Sequence, residues 1–227
     1  MLGPFWITLS TAVTVCSMGF LYGVLFKIDR GLYLPYFTTG MMAWTFISMV
    51  IMESTKIIFE VKPLLENIQL PCVIYVFRLV FRNVIVFLHN LPIYLVVMVS
   101  YQISPSMNFF LLIPSLFVLC LNGIFYGTLI SFLSARYPDV GSIIVSVLQV
   151  VFFVTPIMWS PSALPEKFHL FLLLNPFSYF VSLVRNPLLG LPFSTSELGG
   201  LFFLTVFGFL AFRYVSHKYS KRVVFWI

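Results

Sequence analysis

Long runs without a formally charged residue are the feature that most limits how this chain can fold. His89 is the only residue within them that can take up a positive charge, and the runs are residues 1–26, 31–52, 83–135, 140–165 and 198–212. A helix crosses the ~30 Å hydrocarbon core of a bilayer with ~20 predominantly apolar residues. Backbone groups cannot stay unpaired in lipid, and the runs lack the two-residue alternation of barrel strands. They therefore predict membrane-spanning helices.

The composition supports the same class of protein. Hydrophobic residues make up 60% of the 227 residues and charged residues only 9%, against ~25% charged in a soluble domain. The net charge of +6 is explained by basic residues that flank the spans, so no nucleic-acid partner is expected. We predict one all-α polytopic membrane domain over residues 1–227, surrounded by membrane lipid. Its six transmembrane helices are expected at about 6–26, 35–57, 75–98, 111–133, 140–159 and 198–215.

The distribution of basic residues predicts the orientation. With six spans and a cytoplasmic N-terminus, nine lysines and arginines lie inside and four outside, and both termini are cytoplasmic. A seventh span through the apolar stretch 168–184 would change this count to six against seven, so the positive-inside rule favours six. Residues 161–190 then form two short helices, broken near Pro176, that lie in or dip into the outer interface before the last span.

The connection after the second span is charged and bounded by prolines. It contains Glu60, Lys62 and Glu66, and Pro63 suits the first turn of a short helix that Pro71 would stop. A helix here has either a plain solvated face or a surface for a partner.

The third predicted span carries two polar stripes. Arg78, Arg82 and His89 lie within about 40° of one another around a helix, and Asn83 and Asn90 lie about 110° away. Strongly polar groups at membrane depth normally face protein or water. One stripe is therefore expected to face a conduit and the other a neighbouring helix. In the alternative interpretation, the arginines extend to the headgroups and His89 bonds to a neighbour.

Motifs for chemistry are absent from the sequence. The sequence has no phosphate-binding loop, no spacing of metal ligands and no recognisable Ser-His-Asp arrangement. No catalytic residue and no metal site is therefore predicted. The three cysteines have no paired spacing and are interpreted as packing residues.

Several stretches of the sequence resemble the ABC-2 type permeases that export O-antigen, capsule or teichoic-acid polymers, and the O-antigen (lipopolysaccharide) exporter permease in particular. They follow the family's order over nearly the whole chain: LGPFWITLS at 2–10, Arg82-Asn83 with His89-Asn90, RYPDV at 136–140, TPIMW at 155–159, LNP at 174–176 and RNPLLG at 185–190.

The resemblance implies a homodimer in the bacterial inner membrane with two copies of a separately encoded ATPase. ATP and Mg²⁺ would bind that partner, and this chain would be neither an enzyme nor a cofactor carrier. The cargo would be a polysaccharide on undecaprenyl diphosphate, moving past the third-span stripes. Segment 60–69 would be the coupling helix, with Glu60, Lys62 and Glu66 against the ATPase, and the short helices within 161–190 would be periplasmic.

The resemblance implies that the first and fifth spans bound a lateral opening toward lipid. Family members carry a basic amphipathic segment ahead of the first span, so either the start of this sequence is truncated or that contact is missing. The alternatives to the exporter are a permease for another cargo and a polytopic membrane enzyme acting on lipid-linked sugars.

Overall fold

The computed structural model describes residues 3–25, 30–67, 71–103, 106–161, 165, 169–220, 223 and 226, and its regular structure there is entirely helical. A short 3₁₀ turn, Met107–Leu111, precedes α6. The ten α-helices are α1 Gly3–Leu25, α2 Arg30–Ser54, α3 Ile57–Glu60, α4 Lys62–Asn67, α5 Val73–Ser100, α6 Leu112–Arg136, α7 Asp139–Val154, α8 His169–Leu174, α9 Pro176–Leu189 and α10 Thr195–Tyr219.

Five helical stretches in the described ranges are long and apolar enough to cross a membrane. They are Phe5–Tyr22, Gly31–Ser54, Val73–Ser100, Met107–Arg136 and Thr195–Tyr219. The predicted all-helical, multi-pass class is therefore confirmed. The fifth predicted span corresponds to α7, which has 16 residues and ends at Val154 rather than near 159. Pro156 explains the early end, because proline cannot continue a helical hydrogen-bond ladder.

The long helices run up and down between two ends of the bundle. At one end α2 turns into α3, and Thr55 lies against Gly141 at the start of α7. At the other end α7 has finished, and the Tyr36 hydroxyl on α2 donates to the carbonyl of Pro156 at 3.1 Å. We call these the α3 end and the α9 end. Helix α7 thus runs beside α2 from one end of the bundle to the other.

Helix α2 is the centre of the bundle. Of its apolar span 61% is buried, whereas no other candidate span exceeds 33%. It packs against α1, α5, α6, α7 and α9. Phe37, Met42 and Ala43 are completely enclosed. Its hydroxyl side chains Thr38 and Thr39 are also buried and donate to carbonyls of their own helix, so the central position keeps these polar groups away from lipid.

Helices α8 and α9 break where the sequence predicts, beside Pro176. The Asn175 side chain accepts a hydrogen bond from the Phe177 amide at 3.0 Å and so caps α9. Helix α9 ends at Leu189, and the following Gly190 caps it with a left-handed φ of 71°. An interfacial location was expected for these helices, but α9 packs against α2 and α6, and residues 180–188 are all buried. Helix α9 is thus covered by neighbouring spans over residues 180–188, and its location in the outer interface stays a prediction.

Candidate functional site

Helix α5 presents its two polar stripes to different surroundings. Arg78, Arg82 and His89 lie on its exposed face. The side chains of Asn83 and Asn90 are each only 1% exposed and lie inside the bundle. The exposed stripe is interleaved with aromatic and aliphatic residues that are also uncovered, among them Phe77, Phe81, Ile85 and Leu88. One face of a candidate span therefore combines cations with apolar rings.

Glu53, at the last turn of α2, joins the two stripes. One of its carboxylate oxygens accepts from Arg82 Nη2 at 2.7 Å, and the other accepts from Asn83 Nδ2 at 2.6 Å. Asn83 Nδ2 also donates to the Leu79 carbonyl at 3.0 Å. The Glu53 carboxylate holds the Arg82 side chain in place and partly neutralises its charge, because ionised partners strengthen a hydrogen bond.

Arg78 and His89 are less constrained than Arg82. Arg78 forms no ion pair within the described part of the chain. His89 Nδ1 lies 2.8 Å from the Ile85 carbonyl of its own helix. The exposed stripe thus offers an unneutralised guanidinium nearer the α3 end and an imidazole farther along α5.

The α3 end forms a second candidate surface. Ile58 and Val61 are buried with Tyr75, Phe132 and other apolar residues, so α3 is anchored to α5 and α6. Burial raises the pKa of the Cys72 thiol in the same cluster, which keeps it protonated and unreactive.

The outward face of α3 and α4 carries the predicted coupling residues. Phe59, Glu60, Lys62 and Leu64 are exposed. Lys56 and Glu60 have the spacing of a helical ion pair, but no ion pair joins them. The Glu66 side chain and residues 68–70 lie outside what the structure describes. The surface therefore combines separate charges with two exposed apolar side chains.

The α9 end contains a polar junction that the sequence analysis did not predict. The Arg185 guanidinium lies 3.7 Å above the centre of the Tyr36 ring, and Nη1 donates to the Tyr36 hydroxyl at 2.8 Å. Within 3.2 Å of that hydroxyl lie the carbonyls of Pro156 and Trp159, and Tyr33 donates to Met158 at 3.0 Å. Two tyrosines of α2 thus hydrogen-bond to carbonyls of the segment that follows α7.

Arg185 is nevertheless incompletely satisfied. Its side chain is 6% exposed, and Nε and Nη2 have no hydrogen-bond partner within the described residues. Gly40 makes room for the group, because a Cβ added there would collide with Nη2. A buried cation with unused donors is costly, so close packing against Tyr36 and Gly40 has to hold it in place.

Three residues of these sites carry weak signals in the sequence. Glu53 could have been found as the acid that ends the second charge-free run, at a depth that Arg82 can reach. Tyr36 and Gly40 resemble many other interior residues, and only the fold brings them to Arg185. No cluster of histidine, cysteine or acidic side chains able to hold a metal occurs among the described residues.

The comparisons with known proteins agree with this architecture. The family described as ABC-2 type transporter matches residues 2–189. The chain therefore belongs to the ABC-2 type transporter membrane family and is a multi-pass transporter subunit. It is similar to an O-antigen export system permease protein, RfbA, of Klebsiella pneumoniae. The two are 20% identical over 226 residues, which cover 97% of this chain and 87% of that relative. The resemblance noted in the sequence is confirmed at this level.

Proposed function

We propose that this chain is the permease subunit of an ATP-driven exporter of polysaccharide carried on undecaprenyl diphosphate. The observation that carries the proposal is the uncovered face of α5, where Arg78, Arg82 and His89 are interleaved with exposed rings. A diphosphate-linked glycan requires cations for its phosphates, and guanidinium groups suit phosphate oxygens. The printed name of the Klebsiella relative supports an O-antigen-like cargo.

A topology of six crossings in the bacterial inner membrane belongs to the proposal. Helix α7 and the turn that follows it run beside α2 from Thr55 to Tyr36, which is about 28 Å along α2 and close to the ~30 Å hydrocarbon thickness. The 16 residues of α7 itself are about 24 Å long. The basic-residue count supports a cytoplasmic location for the α3 end and both termini. Helices α8 and α9 then lie on the periplasmic side.

The proposed assembly is a homodimer with two copies of a separate ATPase beneath it. The exposed face of α3 and α4, with Glu60 and Lys62, is the proposed contact for the ATPase, and Glu66 extends it. ATP and Mg²⁺ bind that partner, because this sequence has no phosphate-binding loop.

The test is deletion of the gene in its host, followed by complementation. Surface polysaccharide is measured by gel and lectin blot, and lipid-linked polymer is measured in the inner membrane. We expect deletion to remove surface polymer and to accumulate the lipid-linked form inside. Wild type should restore export, whereas Arg78→Ala should restore it poorly.

The matched control is Arg213→Ala, which removes an exposed arginine from α10 near the same end. It should export normally at equal expression. Normal surface polymer in the deletion strain would show that the cargo is different. Equal export by the Arg78 and Arg213 variants would show that α5 does not line the route.

A further inference from the structure

The carboxylate of Glu53 contacts the polar face of α5, and the proposed function gives it no role. Its 2.7 Å contact with Arg82 is the one ion pair within the part of the chain that the structure describes. Arg78, one helical turn away on the same exposed face of α5, has no such partner there. The two arginines proposed to meet phosphate therefore differ, because one of them already has an internal anionic partner.

The surroundings of Glu53 hold its carboxylate in place. The next residue, Ser54, is buried and donates to the Val50 carbonyl at 2.6 Å. It also packs so closely on α6 that a Cβ added to Gly127 would lie 2.8 Å from its hydroxyl. The second carboxylate oxygen accepts from the buried Asn83 side chain at 2.6 Å. The carboxylate is thus fixed by groups that do not depend on Arg82.

Arg82 is the partner that is free to move. Its side chain is 62% exposed, against 28% for Glu53, and the contact with Glu53 is its one polar bond among the described residues. If the guanidinium turns away, the carboxylate keeps its bond to Asn83 and is not left unpaired. Exposed ion pairs are also weak, so a stronger anion can displace the carboxylate from Arg82.

A diphosphate is an anion that can compete in this way. The Cα atoms of Arg78 and Arg82 lie about 6 Å apart along the axis of α5, so two linked phosphates can reach both side chains. Guanidinium groups bind phosphate oxygens through planar, paired donors. One phosphate can therefore engage Arg78 while the other competes with Glu53 for Arg82.

We propose that Glu53 is a positioning residue for the cargo. Its carboxylate holds Arg82, yields it to the diphosphate of the lipid carrier and takes it back when the diphosphate moves on. This inference rests on the proposed function, because it requires a lipid-linked diphosphate at the exposed face of α5. Transport requires binding that is strong enough for entry and weak enough for release. An internal competitor for Arg82 supplies the second condition.

The experiment measures binding of polyprenyl diphosphate to full-length protein in phosphatidylcholine vesicles, with polyprenol as the control ligand. In Glu53→Gln the amide offers one acceptor oxygen to two donors and has no charge, so its hold on Arg82 is lost. We expect this variant to bind the diphosphate about two- to fivefold more tightly than wild type, in keeping with the strength of an exposed ion pair. Loss of a merely structural residue would leave the affinity unchanged or lower it.

Three further variants show whether the gain in affinity depends on Arg82. In an Arg82→Ala background, Glu53→Gln should no longer change the affinity, whereas a general effect of charge would persist. Glu53→Asp keeps the charge but shortens the side chain by one methylene group, so it should also tighten binding. It provides a second test if Glu53→Gln folds poorly. Asp139→Asn is the control, since it removes an exposed negative charge from the start of α7 and should bind like wild type.

Export by the complemented deletion strain is the second measurement. Glu53→Gln should bind the diphosphate more tightly and yet deliver less surface polymer at equal expression, a combination that poor folding does not produce. Binding that is unchanged or weaker in both Glu53 variants would overturn the inference. The proposed function would still stand if wild type prefers the diphosphate to polyprenol.

Two other outcomes identify what binds Arg82. If wild type binds the diphosphate no better than polyprenol, the proposed function fails and this inference fails with it. The binding measurements are repeated with phosphatidylglycerol in the vesicles. If this lipid abolishes the gain in Glu53→Gln, ordinary anionic headgroups occupy Arg82 and the assignment to the carrier is wrong. A gain that persists supports the carrier diphosphate.

Discussion

Two arginines at opposite ends of the bundle show how the same side chain serves different purposes. At the α9 end Arg185 is buried, stacked on Tyr36 and fitted against Gly40. At the α3 end Arg78 is exposed and forms no ion pair among the described residues. Arg185 gives up hydration to hold α9 between the spans, whereas Arg78 keeps its donors available. Burial and bonding partners, rather than residue type, therefore distinguish Arg185, which stabilises the packing of α9, from Arg78, which is proposed to contact the cargo.

The largest expected effect comes from Gly40→Ala. The added methyl group would collide with Arg185 Nη2 and would force the guanidinium off Tyr36. We expect a loss of about 3 kcal/mol of stability or more, because overpacking costs about 1–3 kcal/mol and the displaced Arg185 also loses its hydrogen bond to Tyr36. Thermal unfolding in detergent, monitored by intrinsic fluorescence, measures it.

Gly199→Ala is the matched control, because a Cβ there meets no atom within 4 Å. It should be neutral or slightly stabilising, since alanine favours a helix over glycine by about 0.5–1 kcal/mol. In an Arg185→Gln background, Gly40→Ala should lose much of its effect if the two residues are coupled. Equal melting of the Gly40 and Gly199 variants would contradict the described junction.

The second largest loss of stability is expected for Tyr36→Phe. The substitution keeps the ring under Arg185 but removes the hydroxyl that accepts from Nη1 and contacts the carbonyls of Pro156 and Trp159. A hydrogen bond to a charged group contributes about 1.5–3 kcal/mol, so a loss in that range is expected.

Tyr33→Phe removes only the bond to the Met158 carbonyl and should cost about 0.5–1.5 kcal/mol. Denaturant titration of both variants gives the order. If Tyr33→Phe is the more damaging substitution, Arg185 does not depend on the Tyr36 hydroxyl.

The sequence predicted elements better than their environments. Runs without charge identified α1, α2, α5, α6 and α10, because each membrane-spanning helix needs a contiguous apolar stretch of its own in the sequence. The Asn175-Pro176 break was also readable, since capping and proline chemistry act between neighbours in the chain. The burial of α9 was not, because it depends on which spans surround it.

The candidate sites show the same division. Helical periodicity separates Arg82 from Asn83, but the structure brings both to Glu53, a residue from another helix. Periodicity assigns side chains to faces of one helix. It does not identify the residues of other helices that contact each face, because those contacts depend on how the helices pack in the bundle.

Arg78→Lys and Arg82→Lys should differ in a smaller but informative way. Lysine keeps the charge and loses the planar fork. Because Arg82 is held by Glu53, its replacement should lower stability by no more than about 1 kcal/mol, whereas the Arg78 replacement should leave stability unchanged. If Arg78 binds the diphosphate of the carrier, Arg78→Lys should weaken binding of a polyprenyl diphosphate about three- to tenfold.

Binding is measured in vesicles with polyprenyl diphosphate, and a polyprenol without phosphate serves as the control ligand. The polyprenol should bind both variants like wild type. If the diphosphate also binds Arg78→Lys as tightly as wild type, Arg78 serves only as an anchor in the headgroups.

The smallest effect on stability is expected at α3 and α4, where charge reversal tests coupling rather than folding. Glu60 is exposed and forms no ion pair with Lys56, so Glu60→Lys combined with Glu66→Lys should change the free energy of unfolding by less than about 0.5 kcal/mol.

If this surface docks on the ATPase, the same two substitutions should uncouple ATP hydrolysis from export, because the reversed charges would repel the partner surface that the native charges fit. Export and ATP hydrolysis are measured together on the reconstituted complex. Arg213→Glu on α10 is the control, since it reverses an exposed charge that lies outside α3 and α4. If ATP hydrolysis stays coupled to export in the double variant, the outward face of α3 and α4 is only a solvated surface. The ATPase contact would then have to lie elsewhere on the α3 end.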